Sequence, residues 1–150
     1  MRTQLNEALK TAMRARDACA VSTLRLILAA VKDRDIAARG AGRSEGLDDD
    51  EILDLLQKMI RQRQESITLY EQGGRLDLVE RESREIEIIR DFLPKQLDDG
   101  ELCAAVRGVV GDLGAVGLKD MGRVMAELRS RYAGQIDLGK ASALARRQLV

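Results

Sequence analysis

Met59-Ile-Arg-Gln-Arg63-Gln-Glu-Ser-Ile-Thr-Leu-Tyr70-Glu-Gln-Gly73-Gly74-Arg-Leu-Asp-Leu78-Val79 holds the features that decide the fold. Upstream of the glycines the apolar positions recur at helical spacing. At roughly 100° per residue, Ile52, Leu55, Leu56, Met59, Ile60, Ile67 and Tyr70 share one face. Gly73-Gly74 stops this helix and turns the chain. A second stripe follows, made of Leu78, Val79, Ile86, Ile89 and Leu93. Two amphipathic helices joined by so short a turn form an antiparallel helical hairpin.

Each helix of this hairpin breaks its own pattern. Arg63 falls in the middle of the first apolar stripe, and Glu82 and Glu85 fall inside the second. In a tight antiparallel register, facing positions sum to about 147. Arg63 therefore faces position 84, within a helical step of both acids. An Arg63–Glu82 or Arg63–Glu85 pair is expected, partly desolvated. Its structural role is a polar lock on the register of the hairpin, and its functional alternative is a catalytic carboxylate tuned by an arginine. Buried ion pairs more often serve registry than chemistry, which favours the lock.

The same periodicity extends outward in both directions. Leu5, Ala8, Leu9, Ala12 and Met13 outline a first helix, with Thr3 as its candidate cap. A second runs from about Asp17 to Ile36 and is apolar over a wide arc, as expected of a helix with neighbours on several sides. Residues 38–47 carry three glycines in a polar run and read as a mobile loop. The spacing of Gly40, Gly42 and Gly46 resembles a phosphate loop only superficially, since no strand precedes it and no Gly-Lys-Ser/Thr follows. Asp48 with Glu51 makes an acidic capping box that opens the hairpin's first helix. After Pro94, helices are expected from Asp98 to about 113, from about Lys119 to Tyr132, and from Asp137 to the end. No segment alternates with period two. The expected fold is all-α, a four-helix bundle over residues 1–94 followed by a three-helix bundle over residues 95–150.

Composition limits the chemistry. The 150 residues include no histidine and no tryptophan, and aromatic residues are 2% of the chain. Histidine-based nucleophile pairs, metal sites and proton shuttles are thereby excluded, and base-stacking platforms are disfavoured. Cys19 and Cys103 are far apart and read as reduced residues of a cytoplasmic protein. No serine lies in a Gly-x-Ser-x-Gly elbow. The Asp48–Glu51 run suits a helix N-terminus better than a magnesium site. No catalytic residue, metal or cofactor is expected, and no membrane span, because no apolar run approaches the roughly 20 residues that one needs.

Surface recognition remains. The whole chain is neutral, yet residues 1–94 carry a net charge of −2 and residues 95–150 carry +2. On the sixth expected helix, Lys119 and Arg123 flank a row of small residues, Gly122, Ala126 and Ser130. Small residues beside cations let a phosphate backbone, or another helix, come close. Arg129, Arg131, Arg146 and Arg147 extend this charge. An ordinary solvated helix face is the plain alternative.

Four stretches resemble the GatB/YqeY family: Ser22-Thr-Leu-Arg-Leu-Ile-Leu-Ala-Ala-Val31, Arg61-Gln-Arg-Gln-Glu-Ser66, Gly74-Arg-Leu-Asp-Leu78 through Phe92-Leu-Pro94, and Asp120-Met-Gly-Arg-Val-Met125. Their order and spacing cover nearly the whole chain. The resemblance implies a likeness to the tail region of the B subunit of glutamine-dependent aminoacyl-tRNA amidotransferase, where a three-helix tail helps hold tRNA. It also implies the family's label, a carbon–nitrogen ligase with glutamine as amide donor, although the larger kinase domain is missing here. Arg123 stands where the family more usually has lysine, and Gly134-Gln-Ile-Asp137-Leu-Gly139 departs from its Gly-x-Ala-Asp-Gly pattern. The expected function is a cytoplasmic accessory module that binds tRNA, or a protein partner in tRNA amidation or translation. Lys119, Arg123, Arg129, Arg131, Arg146 and Arg147 would be its nucleic-acid contacts. The alternative is a protein–protein adaptor that binds no RNA.

Overall fold

The computed structural model describes residues 1–150 and is all-helical. Seven α-helices follow in order: α1 (Arg2–Arg14), α2 (Ala18–Gly40), α3 (Asp49–Gln72), α4 (Leu76–Arg90), α5 (Asp99–Leu113), α6 (Met121–Arg131) and α7 (Leu138–Leu149). A 3-10 turn, Leu118–Asp120, leads into α6. The chain divides into two compact units, Met1–Leu93 and Pro94–Val150.

Short polar side chains start most of these helices. Asp17, Asp48, Asp98 and Asp137 each accept a backbone N–H of the first turn, satisfying a donor that the helix itself leaves unpaired. At α3 the capping box is complete: Asp48 accepts from the Glu51 amide at 2.8 Å, and Glu51 accepts from the Asp48 amide at 3.4 Å. α1 begins one residue ahead of Thr3, with Met1 at the cap position. Gly74 adopts a φ of +70° between α3 and α4, a conformation that costs glycine least.

In the first unit α3 packs chiefly against α4, α1 against α2, and α2 against α4, while α2 meets α3 only slightly. Leu5, Ile27, Ile52, Leu56 and Ile89 are completely buried at the centre. The wide apolar arc of α2 has neighbours on several sides, α1, α4 and, slightly, α3. Leu26 remains 50% exposed, over the opening between α2 and α3. In the second unit α5, α6 and α7 pack pairwise around Val106, Val109, Val124 and Leu128. The approaches to α5 and α7 are tied together, with the Leu97 amide donating to the Gln135 carbonyl at 2.9 Å.

Residues 38–47 differ from the expected mobile loop. α2 continues to Gly40, and the rest is fastened at both ends. Asp35, on the same helical row as Ile27 and Val31, is buried. Its carboxylate accepts Arg2 Nη1 at 2.5 Å, Arg2 Nη2 at 2.8 Å and the Leu47 amide at 2.8 Å. Arg43 clasps Glu51 of α3 through its two terminal guanidinium nitrogens. These bonds satisfy a buried carboxylate that would otherwise be costly.

Two expected results follow from the clasp. The Arg2 hydrogen bond, and then the Leu47 amide, hold the Asp35 carboxyl below the usual aspartate range against the opposing effect of burial. A depressed carboxyl contributes stability that is present above its unfolded pKa of about 3.9 and is lost as pH falls through the folded value. Acid titration monitored by amide exchange at Leu47 should show the loop releasing below about pH 4, and Asp35→Asn should remove that step. Gly46 tests the same contact from the loop side. Its φ is +75°, and a Cβ there would sit 2.5 Å from Asp35 Oδ1. Gly46→Ala should cost more than about 1 kcal/mol in denaturant unfolding.

Candidate functional site

The residues proposed for recognition lie on the C-terminal unit. Lys119 projects from the 3-10 turn and Arg123 from the first turn of α6, and both are exposed. Between them Asp120 is buried and acts as an anchor. It accepts the Val116 amide at 3.0 Å and Arg123 Nη2 at 3.0 Å. The Val116 amide, more than Arg123, holds the Asp120 carboxyl below its ordinary range. The approach to α6 is thus fixed by a charged side chain that spacing alone did not single out. Gly122, Ala126 and Ser130 are all exposed, so the small-residue row is an open face.

The six cations do not form one array. Arg131 turns toward α5, donating to Asp112 Oδ2 and to Glu127 Oε1, each at 2.7 Å. Arg147 lies beside the first turn of α5, at the opposite end from Asp112. With Lys140, Ala143 and Leu144 it lines a shallow groove of about 350 Å³ against Asp99 and Leu102. Lys140 reaches Asp99 there at 3.8 Å. Arg146 and Arg129 are exposed on α7 and α6. Lys119, Arg146 and Arg147 make no hydrogen bond or ion pair within the chain. Their charge is therefore uncommitted, whereas that of Arg123 and Arg131 is shared with neighbouring acids.

The charged side chains of the hairpin meet in the N-terminal unit. Arg63 Nε donates to Glu85 Oε2 at 3.0 Å, and Arg63 Nη1 donates to the Met59 carbonyl at 3.1 Å. The two side chains are 13% and 9% exposed. Arg81, largely exposed, approaches the other oxygen of Glu85 at 3.7 Å. Glu82 lies beside this pair but bonds to neither arginine. Burial, and then the negative charge of Glu85, push its carboxyl above the usual glutamate range. The pair sits at the edge of an open furrow of about 430 Å³ whose other walls include Gln62, Ser66, Tyr70 and Leu26. A lining of this kind can fix register and can present hydrogen-bonding groups to a visitor. No group of three or more His, Cys, Asp or Glu is placed to hold a metal ion, and no helix is long and apolar enough to cross a membrane.

Comparison with known proteins gives consistent relatives. The chain is 37% identical over 111 residues to "Altered inheritance of mitochondria protein 41, mitochondrial" of Lachancea thermotolerans, covering 73% of this chain and 57% of that protein. The protein of the same name from Eremothecium gossypii is 35% identical over 59% of this chain and 46% of its own length. That of Saccharomyces cerevisiae strain YJM789 is 33% identical over 63% and 49%. The chain spans about half the length of the curated relatives it matches. These names correct the expected cytoplasmic setting, because they belong to mitochondrial proteins. That expectation rested on two thiols suited to a reducing environment, a property that does not distinguish one reducing compartment from another. The Yqey-like protein family matches residues 2–149, which is essentially the whole seven-helix chain, and the chain therefore belongs to that family.

Proposed function

We propose that this Yqey-like protein is an accessory module that binds tRNA through its C-terminal three-helix unit, alone or alongside a tRNA-handling enzyme. The observation that carries this reading is the uncommitted charge of Lys119 just before the exposed small residues of α6, together with that of Arg146 and Arg147 on α7. Phosphate contacts need cations that are not already neutralised, and close approach needs short side chains between them. The buried Asp120 holds the start of α6 in place for Lys119. The resemblance to the amidotransferase tail region supports the same reading. The glutamine-dependent ligase label is carried by that resemblance alone, and no reaction step is assigned to a residue here.

Fluorescence anisotropy with labelled tRNA across a salt series tests the proposal. Binding should be strongest at low salt and fall steeply as salt rises, since counterion release dominates such contacts. Absence of binding at low salt would remove the reading. The adaptor alternative draws on one observation. Arg123 and Arg131 already have carboxylate partners, which leaves Gly122, Ala126 and Ser130 as a nearly neutral strip suited to a partner helix. In that case a protein partner binds with little salt dependence and tRNA does not compete.

A further inference from the structure

The furrow beside the hairpin's ion pair has an unequal distribution of partners. Arg63 is committed to Glu85 and to the Met59 carbonyl, and Arg81 leans toward the same Glu85. Glu82 lines the furrow with no hydrogen bond or ion pair of its own. It is partly buried, and Arg63 and Arg81 act on it only at a distance, without a direct ion pair, so its carboxylate is neither fully hydrated nor directly paired. The lining also includes the half-exposed Leu26 of α2 and Leu78, one turn before Glu82 on the same face of α4. Ser66 and Tyr70 add hydroxyl oxygens on the same lining. The Ser66 hydroxyl donates to the Gln62 carbonyl at 3.1 Å, so its lone pairs remain free to accept.

We propose that this furrow binds a primary alkylammonium group, seated on the Glu82 carboxylate with its methylene stem along Leu26 and Leu78. An ammonium carries three donors and no acceptor, which suits a lining that offers an unpaired carboxylate and hydroxyl oxygens. An anion is disfavoured, because the arginines nearby are already engaged. The raised Glu82 carboxyl is consistent with this: burial raises it first and the Glu85 charge second, against the opposing charges of Arg63 and Arg81, and a bound cation offsets the Glu85 charge. The volume of about 430 Å³ falls within the range of small-ligand sites. Two sources carry this chemistry, a lysine side chain of a protein partner and a free aliphatic diamine. The inference concerns the N-terminal unit and stands apart from the RNA reading.

The test is an NMR titration of the isotope-labelled full chain at neutral pH. The probes are N-acetyl-lysine methylamide, 1,5-diaminopentane and, as the neutral control, N-acetyl-norleucine methylamide. Saturable shifts at the Ser66, Tyr70, Leu78 and Glu82 amides are expected with either amine and not with the control. Tighter binding of the blocked lysine points to a protein side chain, and tighter binding of the diamine points to the free amine. Glu82→Gln should weaken the amines about tenfold or more, as loss of a charged hydrogen-bond partner does, without disturbing the Arg63–Glu85 resonances. Leu26→Ser should weaken them through the stem and keep the preference over the control. Shifts absent with both amines, equal shifts with the control, or undiminished binding by Glu82→Gln would each overturn the proposal.

Discussion

Glu85→Ala should destabilise the N-terminal four helices by about 3–5 kcal/mol, read as a lower midpoint in denaturant unfolding followed by resonances of that unit. The size of the effect comes from what is left behind. Glu85 is 9% exposed and its arginine partner 13%, so truncating the acid strands a guanidinium that water cannot fully reach. Arg63 would keep only the Met59 carbonyl. The double replacement Arg63→Met with Glu85→Leu should recover most of the loss, because removing both charges also removes the desolvation penalty. A double variant as unstable as the single one would show that the effect lies in packing. Exposed pairs such as Arg75–Asp77 provide the contrast, and their removal should stay within about 1 kcal/mol.

The second large effect concerns recognition. Replacing Lys119, Arg146 and Arg147 together by alanine should reduce the slope of log affinity for tRNA against log salt by about 3, one for each phosphate no longer neutralised. Circular dichroism and thermal unfolding should be nearly unchanged, since none of the three side chains has a partner within the chain. Arg123→Ala is expected to behave differently. It removes a cation and also takes a hydrogen bond from the buried Asp120, so affinity and the local stability of the α6 start should fall together. An unchanged salt slope in the triple variant would place the phosphate-binding cations elsewhere.

The helices were legible from sequence because their apolar spacing and their aspartate caps are local signals. The polar break at Arg63 could be read for the same reason, since a charge in the middle of an apolar stripe stands out on a helical wheel. Asp35 carries the same signal, four residues beyond Val31 and eight beyond Ile27. It was obscured by the glycines that follow, which suggested a loop without tertiary bonds. The loop is instead fastened by Arg2, whose guanidinium also donates to the Leu47 carbonyl, 45 residues away in sequence. Asp120 has no wheel signature at all, because its burial arises from the turn before α6. The divergence of Arg131 and Arg147 to opposite ends of α5 was likewise illegible. Periodicity gives the face of each helix but not how three helices are arranged around one another.

The reading of the C-terminal unit as a tRNA-binding surface is tested most directly by titrating the isotope-labelled full chain with micromolar tRNA at low salt. Binding should move the backbone amides of Lys119, Gly122, Arg123 and Ala126 and those at the end of α7, and raising the salt should reverse the changes. A spectrum that stays unchanged, or changes confined to the first four helices, would contradict it.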